Sequence, residues 1–345
     1  MSTSTFRSLV RLANPFHPLV QPAFPLSGIK WDDILTLADI NRVLLTLFNN
    51  LKLIRESVPT AFWTSLEEQA RLRVSVWKLF THELAKMSVR LEETGLRWML
   101  IKTVRGFARE IRDLDILIFD DEFRRFQEIL APLGYKKSGE LSGFKMEVKS
   151  YRMLDGLTRV PVTMDVHSRI GYEGLTFIDE DEVWKSRRVW NCNGSPVAIP
   201  SMEHQLVTTI LNSFFGDGGL RLSDIFELDA LIKEGVNTSR VFEIARKYGW
   251  GNSAKMFWST SYPLLILLDS SDVIDERASG FLVGQLPSYY RTSVLFLGLL
   301  EKGLHDIRLG GHTLVPSWGR LGMKFLSLRG HDRLRKDSWN EIFKR

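Results

Sequence analysis

In the stretch "RDLDILI", Asp113 and Asp115 are two carboxylates one residue apart inside a run that otherwise reads as a β-strand. Side chains alternate across a strand, so both point to one face while Leu114, Ile116 and Ile118 point to the other, toward a core. Two anions held side by side repel, and burial makes the repulsion worse. A divalent cation between them reverses the sign, and hard carboxylate oxygens suit Mg²⁺ or Mn²⁺. A third carboxylate, Asp165, lies in "VTMDVHSRI", again flanked by apolar residues that suggest a strand. If that strand neighbours the first, the three carboxylates make a ligand set for two metal ions. Such a pair can activate a hydroxyl and clamp a triphosphate.

Cations precede the acidic strand. Lys102, Arg105, Arg109 and Arg112 occupy the segment before it, and Gly106 could let backbone N–H groups approach phosphate oxygens. Anionic substrate, cationic loop and metal-binding carboxylates form a phosphoryl-transfer or nucleotidyl-transfer constellation. Asp-x-Asp by itself is short and common, and equally describes a strand end in solvent paired with Arg109 and Arg112. The matching Asp165 strand and the basic segment favour the metal site. Elsewhere, Arg221 and Asp224 have the i, i+3 spacing of a helix-surface ion pair. "GDGG" at Gly216–Gly219 lacks the lysine and strand of a phosphate-binding loop and reads as a turn. His17, His204, His312 and His331 have no metal-ligand spacing, and the basic tail from Arg329 to Arg345 reads as a solvated helix face.

The elements that must position these groups follow from periodicity. Residues 28–100 read as helices. "GIKWDDILTLADINRVLLTLFNNLKL" places Ile34, Leu35, Leu37, Leu44, Leu45 and Leu47 at near-helical spacing and ends before Val58-Pro59, and a second run continues to a C-capping Gly95. "LRWMLIK", "LDILIF", "GFKMEVKSYRML" and "TRVPVTMDVHSRI" read as strands, the last after a turn at Asp155-Gly156, and "DDEFRRFQEILAPLGY" reads as a helix ending at Gly134. Helical spacing resumes after Pro200. The expected fold is α+β, with a small mixed sheet at 96–199 between helical regions at 1–95 and 200–345.

Composition agrees with a globular chain, 44% hydrophobic and 25% charged. The single Cys192 excludes an internal disulfide framework and a cysteine-based zinc site. No secretory h-region is evident, and "YPLLILL" and "SVLFLGLL" fall short of the ~20 apolar residues of a membrane span, so a cytoplasmic protein without a membrane partner is expected. The net charge of +5 permits RNA as a partner and equally fits an enzyme of anionic nucleotides.

"LIKTVRGFAREIRDLDILI", "FQEILAPLGY" and "VTMDVHSRI", in that order, resemble the nucleotidyltransferase superfamily of the DNA polymerase β-like fold, and most closely its uncharacterised nucleotidyltransferase family. The matching residues are Trp31-Asp32, Lys102, Arg109, Asp113 and Asp115, Leu133-Gly134-Tyr135, Asp165 and His167, and Asp224, across about residues 28–330. Thr103 stands where the family has a glycine, so Gly106 would have to serve the turn beneath the phosphates. The resemblance implies a nucleotidyltransferase core in which Asp113 and Asp115 hold the metal that carries the NTP, ATP included. Asp165 would complete the second metal site, and Lys102 and Arg109 would contact phosphates. His167 either orients Asp165 or touches the nucleotide, or is a structural histidine, and Asp224 lies at the edge of the nucleotide pocket. The implied reaction moves an NMP onto an acceptor hydroxyl of RNA, a small molecule or a protein. The alternative is a non-catalytic nucleotide- or RNA-binding module that keeps the fold.

Overall fold

The structure, a computed structural model, describes residues 3–16, 26–104, 106–107, 110–119, 122–142, 145–154, 158–172, 175–216 and 220–269. Arg105, Arg109, the turns expected at Asp155-Gly156 and at residues 217–219, His17, His312, His331 and the basic tail lie outside them.

Helical spacing near the start produces α1 (Thr3–Ala13), α2 (Trp31–Ile40), α3 (Leu44–Leu51) and α4 (Thr60–Glu93). The run expected from Gly28 onward is broken after Ile40, where Arg42 takes φ 56° and α3 sets off in a new direction. The 34 residues of α4 extend about 50 Å at ~1.5 Å per residue. That length lets α4 serve two cores: Phe62, Trp63, Leu66 and Ala70 pack among the other helices, while Phe80, Leu84, Met87 and Leu91 lie beneath the sheet.

The sheet has five strands in the order β1 (Trp98–Ile101), β2 (Leu114–Ile118), β5 (Thr158–His167), β4 (Lys145–Leu154) and β3 (Lys136–Ser142). Only β2 and β5 run parallel; the other neighbours are antiparallel. Helix α5 (Phe123–Leu130) follows β2. Two further hairpins, β6 (Ile170–Tyr172) with β7 (Leu175–Ile178) and β8 (Arg188–Cys192) with β9 (Ser195–Ile199), flank α6 (Glu180–Lys185). The chain continues as α7 (Met202–Leu211), a π-helical turn at Asn212–Gly216, α8 (Leu222–Lys233), α9 (Thr238–Lys247) and α10 (Gly251–Asp269). No helix among the described residues is long and apolar enough to cross a membrane.

Strand alternation divides the sheet between two cores. Leu100, Leu114, Ile116, Ile118, Val162, Met164 and Val166 pack on the C-terminal half of α4, on α5 and on the β8–β9 hairpin. Met99, Ile101 and Leu117 face the opposite way, into the core built by α1–α3 and α7–α10. Asp115 shares that second face, so the candidate site opens toward the helices.

The Leu133-Gly134-Tyr135 motif ties the first core together. Gly134 takes φ 83°, a left-handed turn that favours glycine, and delivers Tyr135 beside the buried Glu83 of α4. Glu83 accepts from the Tyr135 hydroxyl at 3.1 Å and from Arg152 Nε at 2.7 Å, and it pairs with Lys86 at 3.2 Å. Burial alone would raise the Glu83 carboxyl, but the Arg152 and Lys86 bonds hold it below its ordinary value. A depressed folded value gives stability that is present above the unfolded glutamate range and lost as pH falls through the folded one. Glu83→Gln should destabilise the protein by about 3 kcal/mol near neutral pH, the low end for breaking a buried ion pair. Urea unfolding of both proteins should show that difference shrinking toward acid pH, and a pH-independent difference would mean that charge is not the cause.

Candidate active site

Strands β2 and β5 lie side by side with Asp115 opposite Asp165 and Leu117 opposite His167. The alternation of both strands puts Asp115, Asp165 and His167 on one face, with ligand atoms within 4.8 Å of one another. Asp165 and His167 are each buried, and Asp115 is the one residue of β2 that is not fully so. The apolar residues between them fix the register, because a slip of one residue would drive the carboxylates into the core beneath.

Asp115 and Asp165 each have a basic side chain at hand. His167 Nε2 lies 3.0 Å and Lys102 Nζ 3.4 Å from Asp115 Oδ1, and Lys145 forms an ion pair with Asp165. Burial works to raise the Asp115 carboxyl, but Lys102 and the His167 hydrogen bond outweigh it and hold the group well below the usual carboxylate range. Burial, aided by Lys102 and opposed by Asp115, lowers His167. The imidazole is therefore neutral at pH 7. Since an ionised carboxylate only accepts, Nε2 carries the proton and donates it to Asp115.

Asp113 sits one residue before β2, half-buried. Burial first, then the charges of Asp115 and Asp165, push its carboxyl up to about 6, while Arg42 and Lys145 pull it back. An acid raised by its anionic neighbours is stabilised in its ionised form by any added cation. The group whose ligand atoms lie within 4.8 Å of one another is Asp115, Asp165 and His167, with Asp113 outside it, and its two carboxylates fit a hard divalent ion such as Mg²⁺ or Mn²⁺.

The segment joining β1 to β2 is clamped from several sides. Thr103 donates to the Ile101 carbonyl and accepts the Asp115 N–H, both at 3.3 Å, which locks the base of the acidic strand. Gln205 of α7 donates to the Val104 carbonyl at 2.9 Å, and Phe107 meets Phe226 of α8 edge-on at 5.8 Å. Glu110 accepts the first free N–H groups of α3, from Leu44 at 2.7 Å and Leu45 at 3.2 Å. The sequence suggests Gly106 for the turn beneath phosphates, but the left-handed residue is Lys102, at φ 62°. Gly106 is instead pressed on α8, where a Cβ would lie 2.9 Å from that of Ala230.

Of the residues singled out in the sequence, Lys102, Asp115, Asp165 and His167 come together here, while Asp113, one residue before β2, stands outside the group whose ligand atoms lie within 4.8 Å of one another. Asp224 caps the start of α8, accepting the Arg221 N–H at 3.0 Å. Arg112 is exposed and lies 3.8 Å from Asp39 rather than beside the aspartates.

The sequence pattern of the Uncharacterised nucleotidyltransferase family matches residues 27–259. The chain belongs to that family. No curated protein matches it. Among solved structures, this nucleotidyltransferase family member is similar to an antigenic nucleotidyltransferase-like protein from Paracoccidioides brasiliensis, at 16% identity and a TM-score of 0.38, over 55% of this chain and 92% of that one. It is also similar to the lincosamide antibiotic adenylyltransferase LnuA in its lincomycin-bound form, at 18% identity and a TM-score of 0.33, over 44% and 95% of the two chains. Likenesses this distant carry no argument about the site.

Two cations of the site escape a reading of the sequence. Lys145 lies in a segment that reads as a strand, but its place beside Asp165 depends on the β4–β5 register, which sets Lys145 opposite His167. Arg42 comes from a helical run with no visible break. Glu147, directly opposite Asp165, adds a fourth carboxylate to the row, engaged by Lys149 and Ser138 at 2.8 Å each.

Proposed function

We propose that this protein is a divalent-metal-dependent nucleotidyltransferase that moves a nucleoside monophosphate from an NTP, ATP among them, to an acceptor hydroxyl, with release of pyrophosphate. The observation that carries the reading is Asp115 and Asp165 in register on adjacent parallel strands, with His167 and Lys102 against Asp115. Asp113, Asp115 and Asp165 would hold Mg²⁺ or Mn²⁺. The ion, when bound, supplies charge neutralisation at the triphosphate and a lowered pKa for the attacking hydroxyl.

The chain's own groups supply the rest. His167 holds Asp115 in one orientation through its Nε2–H. Among the described residues Lys102 and Lys145 pair with Asp115 and Asp165, placed to meet phosphate oxygens, and Arg109 is assigned the same task from its family position. Thr103 keeps the acidic strand fixed to the turn that carries Lys102. The acceptor is RNA, a small molecule or a protein.

A transfer assay tests this. Labelled NTPs are incubated with total RNA, protein extract and small metabolites, with Mg²⁺ or Mn²⁺ and with chelator. Metal-dependent label transfer and pyrophosphate release are expected. Equal NTP binding with chelator, and no pyrophosphate release with any acceptor, would leave a binding module instead.

A further inference from the structure

Among the described residues three non-glycines have positive φ: Arg42, Lys102 and Asn193. Asn193 belongs to an Asn-Gly hairpin turn, where that conformation is ordinary. The other two are cations, and left-handed backbone is strained for long side chains. Lys102 puts its ammonium 3.4 Å from Asp115. Arg42 stands in the α2–α3 turn, which is fastened on both sides. Asn41, just before it, accepts from Leu222 N–H through Oδ1 at 3.1 Å and from Ser223 N–H through its carbonyl at 3.3 Å, at the start of α8. Leu44 and Leu45, just after it, are held by Glu110, three residues before Asp113. Asp39 lies 3.8 Å from Arg112. These contacts run the turn alongside residues 110–113 and leave Arg42 next to the acidic strand. Its charge reaches Asp113. Its guanidinium makes no hydrogen bond or ion pair among the described residues.

We propose that Arg42 is a substrate-binding residue of the transfer site, supplied by the N-terminal helical region to grip the phosphate tail of the incoming nucleoside triphosphate. This rests on the nucleotidyl-transfer reading above. With the carboxylates ionised and no metal, Arg42 balances part of their charge. When a divalent ion takes over that role, a half-buried guanidinium with its donors unspent is left facing the phosphates. A planar fork of N–H groups is suited to two phosphate oxygens at once.

The test uses the full chain, with Arg42→Asn, which tolerates left-handed backbone, and Arg42→Lys, which keeps the charge. Calorimetry measures Mn²⁺ alone and inorganic tripolyphosphate in the presence of Mg²⁺, beside melting temperatures and the KM for NTP. Arg42→Asn should bind Mn²⁺ as well as wild type or better, because a cation competing for the carboxylates is gone. It should bind tripolyphosphate about tenfold more weakly or worse and raise KM more than it lowers kcat, the loss expected for a charge-assisted contact. Arg42→Lys should recover part of the affinity. A structural defect would weaken both probes together and lower the melting temperature, and that result overturns the assignment. Equal tripolyphosphate binding by wild type and Arg42→Asn overturns it while leaving nucleotidyl transfer intact. If wild type binds neither tripolyphosphate nor NTP with metal, the transfer reading falls and Arg42 falls with it.

Discussion

Asp115→Asn is expected to cut nucleotidyl transfer by about 10²–10³-fold or more while the chain remains folded, the scale seen when a preorganised electrostatic partner is removed from an active site. Asparagine keeps the shape of the side chain and a carbonyl that can accept from His167 Nε2, and the Asp115 N–H still reaches Thr103. What disappears is the charge on which Lys102 and His167 converge and which a metal ion needs. Melting curves separate the two effects. Wild type should melt higher when Mn²⁺ is added, because an ion that binds only the folded chain stabilises it by mass action. The variant should lose most of that rise. Turnover within a few-fold of wild type, or an undiminished response to Mn²⁺, would remove Asp115 from the metal site.

Why this centre is legible in sequence, and its surroundings less so, follows from the range of the interactions. The Asp-Leu-Asp-Ile-Leu-Ile run and the Val-Thr-Met-Asp-Val-His run carry strand period and charge in the same few residues, so face and chemistry can be read locally. Strand β3, "KKSGELS", has no apolar alternation, being an edge strand with bulges, so its sequence carries no strand period. The β8–β9 hairpin carries a local signal, Asn193-Gly194 between strand-like residues, the favoured pair for a tight hairpin turn. The break at Arg42 is of another kind. Ile40, Val43 and Leu44 fit helical spacing, and the chain turns there because Asn41 is drawn to the start of α8, 181 residues away, and Glu110 to the start of α3. No local pattern encodes such distant partners. The same holds for Gly106, whose close approach to Ala230 depends on where α8 packs.

Asp165→Ala should separate turnover from binding. Asp113 and Asp115 remain to seat a metal–triphosphate, so calorimetry with a non-hydrolysable NTP and Mg²⁺ should give an affinity near that of wild type. Transfer, read as pyrophosphate release, should fall by about 10²-fold or more, the scale for losing a base or the metal that activates the hydroxyl. The structure sharpens the expectation in two ways. Asp165 is the ion-pair partner of Lys145, so its loss frees an ammonium on the site face, which favours rather than weakens phosphate binding. It also removes one of the two anions that push Asp113 up to about 6, so Asp113 should titrate lower and remain ionised at neutral pH. Both effects argue against a general collapse of the site. The opposing possibility is that the Lys145–Asp165 pair is a brace between β4 and β5. In that case Asp165→Ala and Lys145→Ala should each lower the melting temperature by similar amounts with or without metal, and NTP affinity should fall with stability. A variant that melts and binds like wild type but releases no pyrophosphate places Asp165 in the chemistry.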